Sequence, residues 1–216
     1  GDDSLSGGDG DDIFQYGASG DGYDSVAGGA GSDTIVAAAA NVWIGLRSLS
    51  GIESISGGGY TGVTVWGSTG NDALDFSGVT LSGITKIDGY DGNDSLVGSA
   101  GADTIVGGSG NDTISGGAGN DSIDGGANTD TVDYSYASVA WTINLAAASA
   151  QGVSGSETDT IVNAENVLGG SGADAITGTT AGNLLVGNAG ADTLNGGSGN
   201  DILQRGADND TLVGGT

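Results

Sequence analysis

The sequence of 216 residues contains no cysteine, proline, methionine or histidine, and only three of its residues are basic. The absence of cysteine excludes a disulfide framework and a thiolate metal site. Without histidine or cysteine, a zinc ion would also lack its preferred ligands. The formal net charge is −25, whereas proteins bind nucleic acids and anionic membranes through lysine and arginine. We therefore expect no nucleic-acid partner.

Long apolar runs are also missing. The most apolar stretch, residues 35–44, is rich in alanine and shorter than the roughly 20 residues that a membrane-spanning helix needs. No signal peptide is recognisable in the sequence. We expect no membrane insertion.

Glycine and aspartate are abundant instead. The chain has 47 glycines and 28 acidic residues, of which only Glu53, Glu157 and Glu165 are glutamate. Aspartate suits turns and short-reach metal ligation better than helices. So much glycine and charge would also fit a disordered chain, but 36% of the residues are hydrophobic and they recur at regular intervals. That regularity favours a folded repeat.

The regular interval is nine residues, with the pattern GGxGxDxUx, in which U is a large apolar residue. Four consecutive units cover 98–133: GSAGADTIV, GGSGNDTIS, GGAGNDSID and GGANTDTVD. In-phase or related units are GYDGNDSLV at 89–97, five units over 169–213, GDDSLS at 1–6, GGDGDDIFQ at 7–15, SGDGYDSVA at 19–27, GGAGSDTIV at 28–36 and GSTGNDALD at 67–75.

Each unit predicts one turn and one short strand. The glycines allow positive φ and close approach of the backbone, and the apolar residue of the last three points inward because side chains alternate along a strand. Two units then make a coil of 18 residues, so successive motif aspartates fall on alternate edges. Asp94, Asp112 and Asp130 are expected on one edge, and Asp103 and Asp121 on the other.

Such a ladder of aspartates needs a counter-charge. Neighbouring carboxylates about 5 Å apart repel by about 3 kcal/mol at an effective dielectric constant of 20, and residues 98–168 contain no lysine or arginine. Carboxylate and backbone carbonyl oxygens form a hard, flexible ligand set that suits Ca²⁺, whereas Mg²⁺ demands tighter octahedral geometry. The sequence therefore predicts bound calcium.

The motif resembles the RTX family, the hemolysin-type calcium-binding repeats of secreted bacterial proteins, over about two thirds of the chain. The resemblance implies an all-β fold, a right-handed parallel β-roll or β-helix solenoid, with Ca²⁺ ions stacked along the turns. It also implies a location outside the cell or at its surface. Each ion would lie between turns of adjacent coils, bound by aspartates and alternate loop carbonyls. The ligands that this implies are Asp3, Asp12, Asp24, Asp33, Asp72, Asp94, Asp103, Asp112, Asp121, Asp130, Asp174, Asn183, Asp192, Asp201, Asp210 and the glycines Gly108, Gly110, Gly117, Gly119, Gly197 and Gly199.

Several units depart from the pattern. Asn183 replaces the acid and Ala181 the second motif glycine, which puts the pair of Asn183 and Asp201 in doubt. Asn128 and Asp208 also replace that glycine, but asparagine and aspartate tolerate left-handed backbone. Inserted residues break the 18-residue phase in the first run. Asp72 is isolated and needs a partner from a neighbouring coil.

The expected organisation is one continuous solenoid: RTX repeats at 1–36, 67–133 and 169–216, with non-motif β-coils at 37–66 and 134–168. The non-motif coils are expected to be longer and free of metal. Three similar fragments precede each return to repeats: SGIESISGG at 50–58, SGITKIDG at 82–89 and NAENVLGG at 163–170. Acids outside the motif position, such as Asp11, Asp75, Asp124 and Asp133, are predicted to be solvated. The tryptophans Trp43, Trp66 and Trp141 suggest stacked or shielding aromatics, with a carbohydrate platform as the alternative.

No catalytic constellation is visible, because the carboxylates are explained as metal ligands and the chain has no histidine or cysteine. Ice binding would require repeated threonines in the turns, and only 68–72 has one. The remaining functions are a structural module of a surface layer, adhesin or filament, and a folding or secretion module of an exoenzyme or toxin. Head-to-tail self-association is a further expectation, because bare terminal coils expose strand edges.

Overall fold

The computed structural model describes residues 1–17, 19–20, 22–147, 150–154 and 157–216. These residues form strands and turns without any helix, so no helix in this part of the chain could cross a membrane. One residue of the unit at 19–27, Asp21, lies outside the described ranges.

The strands are short, and most of them follow a glycine-rich turn. In chain order they are β1 (Ser4–Asp9), β2 (Ile13–Tyr16), β3 (Asp24–Ala30), β4 (Thr34–Ala37), β5 (Trp43–Ser50), β6 (Ser54–Ser56), β7 (Val63–Trp66), β8 (Ala73–Asp75), β9 (Thr80–Ser82), β10 (Ile84–Asp88), β11 (Ser95–Val97), β12 (Thr104–Ser109), β13 (Thr113–Ser115), β14 (Ser122–Ala127), β15 (Thr131–Asp133), β16 (Thr142–Asn144), β17 (Ala150–Ser154), β18 (Glu157–Val162), β19 (Asn166–Leu168), β20 (Ala175–Thr177), β21 (Leu184–Val186), β22 (Thr193–Asn195), β23 (Ile202–Gln204) and β24 (Thr211–Val213).

The strands form a parallel β-solenoid of about 10 turns. A 13-stranded sheet runs along one side, and sheets of seven and four strands form the other. In the central block Ile105 pairs with Ile123 and Leu96 with Ile114, so one coil takes 18 residues. The predicted all-β parallel fold and its coil length are confirmed.

The core is a stack of the apolar residues that occupy position eight of the repeat. Ile105, Ile114 and Ile123 are at most 1% exposed, and each lies above or below its counterpart in the next coil. Full burial of such a side chain contributes roughly 1.5–3 kcal/mol. Because each strand is only about three residues long, most of the stability must come from this stack and from the turns.

Two regions depart from the regular coil. In the first run Ser4 pairs with Ser25 and Ile13 with Thr34, so the inserted residues lengthen the coil to 21 residues, as the broken phase predicts. In the second non-motif region β17 pairs antiparallel with both β16 and β18. A hairpin therefore interrupts the otherwise parallel 13-stranded sheet, which the sequence pattern did not predict.

A row of aromatic rings runs along four successive coils of the 13-stranded sheet. Ring centroids are 6.0 Å apart between Tyr23 and Trp43, 5.7 Å between Trp43 and Trp66, and 5.3 Å between Trp66 and Tyr90. Trp141 is buried instead and packs 4.4 Å from Tyr134. All three tryptophans therefore pack against other rings, as the stacked-aromatic interpretation predicts.

Candidate metal centres in the turns

The motif aspartates form hydrogen-bonded columns along the edges of the solenoid. The backbone N–H of Asp94 donates to Oδ1 of Asp112 at 2.8 Å, and that of Asp112 to Oδ1 of Asp130 at 2.8 Å. On the other edge Asp103 donates to Oδ1 of Asp121 at 2.9 Å. Each motif aspartate thus sits next to the one 18 residues later, on the edges that the 18-residue coil predicts.

The other runs contain the same contact. Asp72, isolated in the sequence, donates to Oδ1 of Asp94 at 2.8 Å, so the next coil supplies its partner. The remaining N–H to Oδ1 contacts are Asp3 to Asp24 at 2.9 Å, Asp12 to Asp33 at 2.8 Å, Asp174 to Asp192 at 2.8 Å, Asn183 to Asp201 at 3.0 Å and Asp192 to Asp210 at 2.9 Å.

Three further acids extend these columns into coils without the motif. Asp121 donates to Oδ1 of Asp159 at 2.9 Å. Asp33 donates to Oε2 of Glu53 at 2.6 Å, and Asp130 to Oε2 of Glu165 at 2.9 Å. The motif does not contain these residues, so they are missing from the predicted set. The fragments at 50–58 and 163–170 were the available signal, because each places a glutamate directly before a strand.

The second carboxylate oxygen is the unusual feature of these columns. In the described residues, nine Oδ2 atoms are buried without a hydrogen-bond partner: those of Asp12, Asp33, Asp94, Asp112, Asp121, Asp130, Asp192, Asp201 and Asp210. A buried, unpartnered carboxylate oxygen is costly unless a proton or a cation satisfies it. These nine atoms are therefore where the protein needs a positive charge.

The electrostatics point the same way. Burial raises the pKa of Asp94 and of Asp121 to about 7, and the pKa of Asp130 to about 6. Burial also raises the pKa of Asp112 and of Asp192. Since the described cations are not within the columns, the acids lack a protein counter-charge. A bound divalent cation would supply it.

Backbone carbonyls complete an oxygen-rich environment. A Cβ on Gly117 would collide with the carbonyl oxygen of Ser99, and one on Gly119 would lie 2.7 Å from that of Gly101. The same glycine-to-carbonyl stacking recurs at Gly108, Gly110, Gly197 and Gly199. All six glycines have positive φ, between 92° and 130°. Only a residue without a β-carbon fits there, so the turns stack closely with their carbonyls in file.

The substituted turns keep this conformation. Asn128 has φ 91° and Asp208 has φ 74°, as predicted for side chains that tolerate left-handed backbone. Tyr90, at the second position of its unit, also has φ 78°. That value was not anticipated, because a bulky residue rarely adopts it.

The donor set fits calcium. Every available ligand is an oxygen, which Ca²⁺ prefers. No group of three or more acidic side chains converges within the described part of the chain, so each site would combine one or two carboxylates with several carbonyls. Calcium accepts this mixture, because it takes six to eight oxygens in flexible geometry.

Two carboxylates of the columns are satisfied by tyrosine hydroxyls instead. Tyr16 donates to Oδ2 of Asp24 at 2.7 Å, and the fully buried Tyr134 donates to Oδ2 of Asp159 at 2.8 Å. We expect Tyr134→Phe to lower the free energy of unfolding by about 1–3 kcal/mol, because it leaves a buried oxygen unsatisfied. Urea unfolding in saturating calcium measures it. Tyr136→Phe is the matched control, because the half-exposed Tyr136 should tolerate the loss within about 0.5 kcal/mol; equal effects would contradict the prediction.

The acids outside the motif position have other roles. Asp11 and Asp75 are exposed, as predicted, whereas Asp124 and Asp133 are half-buried. Asp75 and Asp133 accept the backbone N–H two residues later, from Ser77 at 2.9 Å and Ser135 at 2.8 Å. These acids hold local turns and do not join the columns.

Comparison with known families agrees with this site. The family described as RTX calcium-binding nonapeptide repeat (4 copies) matches the chain over three stretches. The matched residues are 1–21, 16–42, 81–114, 88–123, 106–134, 168–203 and 177–212. No curated protein matches the chain.

Proposed function

Because the chain belongs to the RTX calcium-binding nonapeptide repeat family, we propose that this calcium-binding structural repeat module works outside the cell, as part of a surface layer, an adhesin or a filament. The nine buried carboxylate oxygens without a partner carry the proposal. They are spread along the whole solenoid, so calcium would stabilise the entire structure and not one local site.

A folding or secretion module of an exoenzyme or toxin is the second candidate. RTX repeats accompany catalytic domains in some secreted proteins, and the fold is the same in both settings. The two candidates differ in what flanks the repeats, which mass spectrometry of the intact native polypeptide would identify. A catalytic domain in the same polypeptide would favour the second candidate.

The proposed location follows from calcium affinity. Extracellular calcium modules typically have Kd values of about 10⁻⁴–10⁻³ M, far above the calcium concentration of the cytosol. Sites of this strength would stay empty in the cytosol and fill outside it. The acidic columns would then keep the chain unfolded until it leaves the cell.

Isothermal titration calorimetry of the chain with calcium tests the binding. We expect several ions per chain to bind at submillimolar to millimolar concentration, with magnesium, titrated as the control, binding more weakly. Magnesium is the smaller ion and demands near-ideal octahedral geometry, which the turns do not enforce. Absence of calcium binding up to 10 mM would overturn the proposed function.

Head-to-tail self-association stays a prediction. It is supported by apolar side chains on the end coils, since Ile13 is 73% exposed and Ile202 is 58% exposed. A stack of identical coils would not close on itself and would grow as a fibre; coverage by further chain is the alternative. Sedimentation velocity in millimolar calcium distinguishes growing assemblies from monomers.

A further inference from the structure

The turns of this solenoid adopt two conformations, which we call open and closed. In a closed turn, a backbone N–H of the turn donates to the side-chain oxygen of its own aspartate or asparagine. There are four in the described residues, with these contacts: Ser68 to Asp72, Ser99 to Asp103 at 2.7 Å, Gly170 to Asp174 at 2.9 Å, and Thr179 to Asn183 at 2.7 Å. The motif side chain is therefore already satisfied within its own turn.

In an open turn the same oxygen has no partner. The nine aspartates with an unpartnered Oδ2 all belong to turns in which motif positions two and four both have positive φ. In the turn of Asp112, for example, Gly108 has φ 112° and Gly110 has φ 130°. None of the four closed turns has positive φ at either position. The backbone conformation and the state of the carboxylate thus change together.

The closed turns share one place in the fold. Each is the first motif turn on its edge after a coil that lacks the motif. The strands that follow them are β8, which begins the seven-stranded sheet, and β12, β20 and β21, which lie next to β10, β16 and β19. The preceding coil therefore offers no stacked motif turn.

Steric contact explains this placement. In an open turn, the α-carbon at position two packs on a carbonyl of the preceding coil, so that a Cβ on Gly108 would collide with Tyr90 and one on Gly126 with Gly108. A first turn has no such neighbour and accepts serine or threonine. The hydroxyl then adds a second hydrogen bond, as from Ser99 to Asp103 Oδ2 at 2.9 Å.

The far ends of the columns are also distinct. One column ends at Asp159 and another at Asp24, whose Oδ2 atoms accept from Tyr134 and Tyr16. Two others reach Glu165 and Glu53, where a longer side chain replaces the aspartate. A column thus changes its chemistry where the motif stops.

We propose that the open turns alone provide carboxylate ligands for calcium, and that the closed turns are metal-free starts which set where each row of ions begins. This rests on the proposed function. The assignment keeps Asp12, Asp33, Asp94, Asp112, Asp121, Asp130, Asp192, Asp201 and Asp210 as carboxylate ligands. It assigns Asp72, Asp103, Asp174 and Asn183 a structural role in closing the first turn, and Asp24 a tyrosine-bonded one.

The chain itself contains the natural control for this idea. Asn183 occupies a closed turn, where its amide oxygen accepts the N–H of Thr179 as a carboxylate would. A neutral amide therefore suffices in a closed turn. In an open turn the buried Oδ2 of Asp112, a residue only 1% exposed, would lose its charge and its ligand atom if changed to an amide.

The test compares Asp103→Asn with Asp112→Asn. Bound calcium per chain is counted by equilibrium dialysis at saturating calcium, and circular dichroism at the same concentration confirms that each variant is folded. We expect Asp112→Asn to bind at least one ion fewer than the unmodified chain, and Asp103→Asn to bind the same number. A second matched pair, Asp192→Asn and Asp174→Asn, repeats the comparison in the last run and serves if a member of the first pair does not fold.

The outcomes separate the two proposals. Equal loss of ions from the open-turn and closed-turn variants would overturn the row-start assignment, and so would a full ion count in the open-turn variants. Both results would leave calcium binding by the unmodified chain intact. If the unmodified chain binds no calcium, the proposed function itself fails.

Discussion

Removal of calcium by excess chelator is expected to abolish the β-sheet circular dichroism of this chain. At 10 mM calcium, a site with a Kd of about 10⁻⁴–10⁻³ M stabilises the folded state by about 1.4–2.7 kcal/mol. Nine open turns acting additively would contribute roughly 13–25 kcal/mol, more than the about 5–15 kcal/mol net stability of a typical domain. The apolar stack alone should therefore not hold the coils together.

The measurement is a far-ultraviolet spectrum before and after chelation, followed by readdition of calcium. Recovery of the signal with calcium but not with an equal concentration of magnesium would identify the ion as the cause. A β signal that persists after complete calcium removal would show that the core and the strand pairing are sufficient, and would contradict the expectation.

Acidification is the second condition with a large expected effect, because protons and calcium compete for the same oxygens. Burial raises the pKa of Asp94 and of Asp121 to about 7 in the metal-free fold, and the model value for aspartate is 3.8. A carboxyl whose folded pKa is raised favours the folded state when protonated. Its stabilising contribution is complete below about pH 4 and is lost as the pH rises through about 7.

Two opposite trends follow for the two forms. The metal-free chain should gain β structure as the pH falls from 7.5 towards 4, whereas the calcium affinity should fall over the lower part of the same range, by up to tenfold per pH unit for each proton displaced. Calcium titrations at pH 7.5, 6.5 and 5.5 measure the second trend, and circular dichroism in chelator measures the first. An affinity that is constant across these pH values would contradict the proton competition.

The sequence by itself determined the repeat architecture. The nine-residue motif carries both periods that matter, a turn and an alternating strand, so the 18-residue coil and the edge of every regular motif aspartate followed from counting. The left-handed turns at Asn128 and Asp208 were also predictable, because the backbone tolerance of these residues is a local property. So was the 21-residue first coil, since an insertion is visible in the sequence.

Tertiary structure alone decided which turns are open. Asp103 and Asp112 stand in nearly identical units, yet only Asp112 leaves an oxygen without a partner. The difference comes from the coil packed before each of them, which local sequence does not contain. Likewise Asp159 meets Asp121 across 38 residues, because a hairpin of variable length lies between them. A motif describes one turn, whereas the environment of its carboxylate is made by two turns in adjacent coils, and only the folded chain shows which turns meet.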